Sequence, residues 1–150
     1  MTHIPRSALL LGLAGLLPFL LGMVTMLRPE GFGFWVQQNF GGRFVGPYLQ
    51  LAYGAIILSF MSGVLWGFAT KAEGQLAAMG YGLSVIPALW AFFMVGGGPT
   101  AAAVNLIFGF LGLLVLDWYF WRLGLAPKWW MHLRILLTAG VIITLLPIVF

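Results

Sequence analysis

A chain of 150 residues that is 62% hydrophobic and 7% charged cannot cover itself with a polar surface; a soluble domain carries roughly 25% charged residues, so the medium around this one is lipid. The absence of cysteine excludes disulfides, thiolate metal ligands and cysteine nucleophiles. The formal charge of +4 is scattered at the ends of apolar runs, where Lys and Arg orient a membrane chain, and is not the footprint of a nucleic-acid binder.

Five apolar runs can be followed along the chain. The first, residues 7–27, would span roughly 31 Å as a helix. It is too long for the core of a signal peptide and no A-x-A cleavage pattern follows it, so a retained first helix is expected. Pro18 lacks a backbone donor and leaves the carbonyl of Ala14 without its partner, which predicts a kink. Residues 28–46 form the longest loop. Phe32, Trp35, Val36 and Phe40 recur there at helical spacing, with Gln37, Gln38 and Asn39 opposite. A short amphipathic helix in the headgroup layer fits that pattern; so does an irregular aromatic loop packed on the helix ends.

The second run, residues 47–70, carries Ala55, Ser59, Gly63 and Gly67 at strict four-residue intervals. On a helix they form one narrow stripe of small residues among bulky ones. In lipid, helices associate through close backbone approach along such stripes, because the surrounding tails are as apolar as the side chains. This helix is therefore expected to be the hub of the fold. A polar turn, Lys71-Ala72-Glu73-Gly74, leads to the third run, residues 75–94. Gly80 and Ser84 are its principal small packing positions, and Pro87 leaves the carbonyl of Leu83 unpaired. Lipid cannot satisfy that carbonyl, and Ser84 is the nearest hydroxyl. Residues 95–99 are a glycine turn with no Lys after it and no strand before it, so it is not a phosphate loop. The fourth run, residues 100–122, has Asn105, Gly109 and Gly112 on one face and ends in Asp117-Trp118-Tyr119-Phe120-Trp121-Arg122. After a turn marked by Gly124 and Pro127, Trp129 and Trp130 lead into the fifth run, residues 131–150, which Pro147 is expected to bend near its end. The reading is an all-α polytopic membrane protein: one domain of five transmembrane helices with short loops. Five spans cannot form two equal inverted halves.

Positive charge sets orientation. With the N-terminus inside, Arg6, Lys71, Arg122, Lys128 and Arg134 fall on the inner side and Arg28 and Arg43 on the outer, five against two of the seven cations. Trp118, Trp121, Trp129 and Trp130 would then anchor the cytoplasmic interface and Trp35 the outer one. The expected location is a bacterial inner membrane, with the N-terminus cytoplasmic and the C-terminus periplasmic.

Tyr53-Gly54-Ala55, Leu58-Ser59-Phe60, Gly63 and Trp66-Gly67 resemble the signature of a small membrane family, domain of unknown function 3429. Asp117, Gly124-Leu125-Ala126-Pro127, Leu133-Arg134 and Leu137-Thr138 look like its second block, so the likeness covers most of the chain. One position departs: the family pattern usually has His just before the Trp-Gly pair, and here that residue is Leu65. Any ligand that such a His holds in relatives could not be held in the same way here. The resemblance implies the five-span architecture and brings no activity with it.

Membrane catalysis requires a nucleophile with a base, metal ligands or a carboxylate cluster. Ser59 and Ser62 lie mid-span with no histidine in any span to activate them, and read as hydroxyls bonding the preceding turn. His3 and His132 fall at the same expected edge and as a pair could ligate a metal or haem; interfacial polar groups are the commoner role. Asp117 is the one carboxylate placed in a span, with Asn105 taken as the only other strongly polar side chain there. A proton relay needs more ionisable groups than that. Asp117 is expected to pair with Arg134 in preference to Arg122, because the last two helices form a hairpin that brings 117 and 134 to similar depth. No catalytic residue, cofactor or metal is assigned. Ala55, Ser59, Gly63, Gly67, Gly80, Ser84, Gly109 and Gly112 are the expected helix-packing positions, and the expected function is that of a non-enzymatic accessory or structural subunit packing against a larger respiratory or photosynthetic membrane complex. The alternative is a binding protein for an apolar small molecule such as a porphyrin, quinone or sterol.

Overall fold

In lipid, a helix is the one local structure that satisfies its backbone donors and acceptors within a single segment, and each apolar run takes that form. A computed structural model describes residues 3–150. Its five membrane-crossing segments are Arg6–Leu27, Tyr48–Ala69, Gly74–Met94, Pro99–Arg122 and Trp130–Val149. Two of them are broken where the prolines fall. The first consists of α1 (Arg6–Ala14) and α2 (Leu17–Leu27), with Pro18 in the first turn of α2. At the break the Leu16 N–H turns back to Leu13 O at 3.0 Å, a tightened 3₁₀-type bond. The third consists of α5 (Gly74–Ser84) and α6 (Ile86–Met94), broken at Val85 with Pro87 in the first turn of α6. The second, fourth and fifth segments are the uninterrupted helices α4 (Tyr48–Ala69), α7 (Pro99–Arg122) and α8 (Trp130–Val149). Pro147 is accommodated inside α8, which continues to Val149.

The loop between the first two spans is ordered as a helix, α3 (Phe32–Phe40), and a 3₁₀ turn, Gly42–Phe44. Val36 and Gly33 are buried, while Phe32, Phe34, Trp35 and Phe40 are exposed. Trp35 stacks on Phe32 and meets Phe40 edge-on. An apolar stripe inward and an aromatic rim outward suit a helix lying at a membrane interface.

α4 packs against α2, α5, α6 and α7, α7 and α8 form an antiparallel hairpin, and α8 closes back on α1 and α2. The core between them is built from Phe19, Leu58, Leu65, Leu106, Phe110, Leu113, Phe120 and Leu145. Phe19 meets the rings of Tyr53 and Phe110 edge-on, at 5.2 and 6.2 Å between centroids. α4 is thus the hub, but the face it uses differs from the expected one. Gly54, Leu58, Met61, Ser62, Leu65 and Ala69 point inward, whereas Ser59, Gly63 and Gly67 are exposed. The close approaches in this fold set a glycine against a side chain of a neighbouring helix, bulky at Gly54 and Gly109 and small at Gly80. Gly54 receives Leu106, Gly109 receives Leu58 and Trp90, and Gly80 receives Ala69. Each such contact gains dispersion energy through close approach, and the inward face of α4 mixes the small Gly54, Ser62 and Ala69 with Leu58, Met61 and Leu65. Gly112 also faces outward, with nothing near it.

Candidate functional site

The turn between α7 and α8 brings together the chain's buried charges. Gly124, at φ +80°, reverses the chain in a conformation open to glycine. Lys71 Nζ donates to Leu125 O at 3.2 Å, and Trp121 Nε1 donates to Lys128 O at 3.2 Å, so the turn is held from two sides. The resulting register sets Arg134 opposite Asp117. Arg134 Nε donates to Asp117 Oδ2 at 2.7 Å, and Trp130 Nε1 donates to Oδ1 at 3.1 Å. Asp117 is 0% exposed and Arg134 4%. Trp130 is locked in turn by the ring of Phe68, edge-on at 5.0 Å. Arg122 lies outside the site, its guanidinium over the Trp118 ring. Arg134 Nη2 and Thr138 Oγ1, one turn apart on α8, have no protein partner. Because an arginine keeps its proton, Arg134 is a permanent cation, and the pair ties α7 to α8.

A second buried polar cluster lies at the other end of the bundle. Gln50, 0% exposed, donates from Nε2 to Thr144 O at 3.1 Å and approaches Met26 Sδ at 3.7 Å. Thr25 Oγ1 donates to Gly22 O and accepts the Gly46 N–H, at 2.8 and 2.9 Å. A Cβ at Gly22 or Gly46 would collide with the Gln50 side chain, so both glycines make room for it. Asn105 is therefore not the only strongly polar side chain at depth. The signal for Gln50 was a lone amide one turn inside an apolar run, with Gly22 and Gly46 as its counterparts.

The hydroxyls divide differently from the sequence reading. Ser59 Oγ donates to Ala55 O at 3.0 Å, on the exposed side of α4. Ser62 Oγ accepts the Ala88 N–H of α6 at 2.8 Å. It is a bond between helices, made where the break before Pro87 has loosened the backbone ladder. Ser84, expected to serve Leu83, donates to Tyr81 O at 2.7 Å. Trp90 Nε1 donates to Asn105 O, and Asn105 Nδ2 to Met94 O at 3.0 Å, tying α6 to α7.

The remaining candidates are spread over the surface. Trp35, Trp118 and Trp121 are exposed; Trp129 and Trp130 are half-buried. Trp130 is part of the Asp117 site as well as an aromatic at the helix end. His3 and His132 are exposed. Among the described residues no group of three His, Asp or Glu is placed to hold a metal. Gly80, Ser84 and Gly109 are buried in helix contacts, and Ala55 is half-buried. Ser59, Gly63 and Gly67 leave an open furrow on α4, with no atom within 4 Å of a Cβ placed at either glycine.

Five apolar helical segments, joined by short turns and held by two buried polar clusters, define an integral membrane protein. The chain belongs to the family described as protein of unknown function (DUF3429), whose pattern matches residues 4–150. It is similar to transmembrane protein 69 of Xenopus tropicalis, with 35% identity over 147 residues, 94% of this chain and 53% of that protein. Transmembrane protein 69 of Mus musculus is 30% identical over 138 residues, 89% of this chain and 51% of that protein. The chain spans about half the length of these curated relatives. No solved structure matches.

Proposed function

We propose that the protein is a non-enzymatic packing subunit of a larger integral membrane assembly, with the outward face of α4 as its docking surface. One observation supports this most: Ser59, Gly63 and Gly67 line up on a helix face that none of the described residues covers. A position facing lipid gains from a large apolar side chain, and glycine inside a helix costs up to about 1 kcal/mol relative to alanine. Small residues held in register among Ile56, Phe60 and Trp66 lose on both counts unless a second backbone lies against them. The polar groups at depth are consistent with this reading. Asp117, Arg134, Gln50 and Ser62 are engaged in holding helices together, and among the described residues no hydroxyl is hydrogen-bonded to a histidine or carboxylate.

An energy-transducing complex, respiratory or photosynthetic, is the partner class proposed. The cytoplasmic N-terminus and bacterial inner membrane are likewise proposals, carried by the distribution of Lys and Arg. Native mass spectrometry after extraction in mild detergent tests the subunit reading. The expected result is a stoichiometric assembly with other membrane subunits. A lone protomer holding a porphyrin, haem or quinone would overturn it.

A further inference from the structure

We infer that the end of the bundle where α2 finishes and α4 begins binds one anionic diacyl phospholipid, with its phosphate at Arg43 and one acyl chain on each side of a ridge. Its groove on α4 lies on the same outward side of that helix as the furrow of the subunit reading, but at the N-terminal end, at Ala52, Ala55 and Ile56, before Ser59 and Gly63 are reached.

Two grooves meet there. One, about 490 Å³, is lined by Arg43, Tyr48, Ala52, Ala55 and Ile56 on one side and by Val95, Gly97 and Ala102, around the α6–α7 turn, on the other. The other, about 590 Å³, is walled by Leu17, Pro18, Leu21 and Val24 of α2. Both volumes lie in the range of small-molecule sites. Phe44, Leu49 and Tyr53 line both grooves and form the ridge between them. The second groove exposes no polar surface at all, as hydrocarbon requires. The kink at Pro18 shapes its floor, and the edge-on contact of Tyr53 with Phe19 fixes one flank of the ridge.

Depth selects the occupant. From Tyr48 to Ile56 is about 12 Å along a helix axis, and from Val24 back to Leu17 about 10 Å. Each is close to the ~15 Å of a single leaflet of a ~30 Å hydrocarbon layer. Both grooves start at the same end of the bundle and run inward side by side, as the two chains of one lipid do. A rigid sterol or a single quinone tail would fill one groove and leave the other empty. A partner helix, 10–12 Å across, would have to straddle the ridge.

Charge selects the headgroup. Arg43 is exposed at the top of the ridge, its guanidinium 5.4 Å from the Phe44 ring centroid. The single ion pair among the described residues is Arg134 with Asp117, so no carboxylate neutralises Arg43. Its planar fork is matched to phosphate oxygens, and Phe44 holds it over the point where the grooves diverge.

The test uses the full chain reconstituted in vesicles of equal parts phosphatidylglycerol and phosphatidylcholine, extracted in mild detergent and weighed by native mass spectrometry. One phosphatidylglycerol should be retained per protomer. Arg43→Gln, an exposed site, should keep the melting temperature and lower that preference roughly fivefold, the effect of one basic group near an anionic headgroup. Ala52→Trp and Val24→Trp, which fill one groove each, should each release the lipid. Gly63→Leu, about 10 Å further along the same side of α4 than Ile56, should leave lipid retention unchanged, so that loss of the assembly and loss of the lipid are read separately. Equal retention of the two lipids, an unaltered ratio in Arg43→Gln, or one groove held by a quinone or porphyrin would overturn the inference.

Discussion

Ser59 and Ser62 sit three residues apart on α4 and act on different partners. Ser59 bonds its own helix on the exposed side, while Ser62 is the acceptor for the Ala88 N–H across a helix contact. Ser62→Ala leaves that N–H buried without a partner and is expected to cost about 1 kcal/mol, the scale of interhelical bonds in membranes. Ser59→Ala should stay within about 0.5 kcal/mol. Equilibrium unfolding in mixed micelles separates the two; equal effects would contradict the assignment. At the α7–α8 hairpin, Arg134→Gln leaves a fully buried carboxylate with only Trp130 as donor. A loss of about 3 kcal/mol is expected, as for breaking a buried ion pair. Asp117→Asn should cost a similar amount, and the double variant little more than either. Additive losses in that double-mutant cycle would mean that Asp117 and Arg134 do not act together. Trp130→Phe, which removes one bond to a charged group, should cost about 2 kcal/mol.

At the scale of elements, α4 has two faces with opposite expectations. A leucine at Gly54 or Gly109 would drive into Leu106, or into Leu58 and Trp90, and overpacking of that kind costs about 1–3 kcal/mol or more. Gly63→Leu meets open space and should leave the melting temperature of the isolated chain unchanged; a large drop would place Gly63 in an internal contact. This difference between faces was not legible in the sequence. In water, the inward face of a helix is marked by hydrophobicity. In lipid both faces are apolar, so the spacing of Ala55, Ser59, Gly63 and Gly67 marks a stripe without saying what lies opposite. The five spans were legible, because apolar length alone sets them, and the breaks near Pro18 and Pro87 follow from the missing donors. Depth within the hairpin indicates Arg134 over Arg122 as the partner of Asp117. Trp130 as the second donor was hidden, because an aromatic at a helix end has an ordinary reading as an anchor. Gln50 was hidden because its partners, Met26 and the carbonyl of Thr144, lie on helices whose neighbour relations only the fold supplies.

At the scale of the whole molecule, an odd number of spans puts the chain ends on opposite sides of the membrane. On the proposed orientation, the excess of Lys and Arg at the ends shared by Arg6, Lys71 and Arg134 marks the cytoplasmic side. A reporter active only outside the cytoplasm should be active when fused after Phe150 and silent when inserted beside Lys71; the reverse pattern would invert the topology. Two buried polar clusters that hold helices together and an open furrow on α4 support the proposal that the protein packs against a partner. The most direct measurement of that claim is the mass of the assembly extracted gently from native membranes, taken for the unaltered chain and for Gly63→Leu. The account predicts a stoichiometric complex for the first and a released but normally folded protomer for the second. A Gly63→Leu chain that stays in the complex, or an unaltered chain that emerges alone, would contradict it.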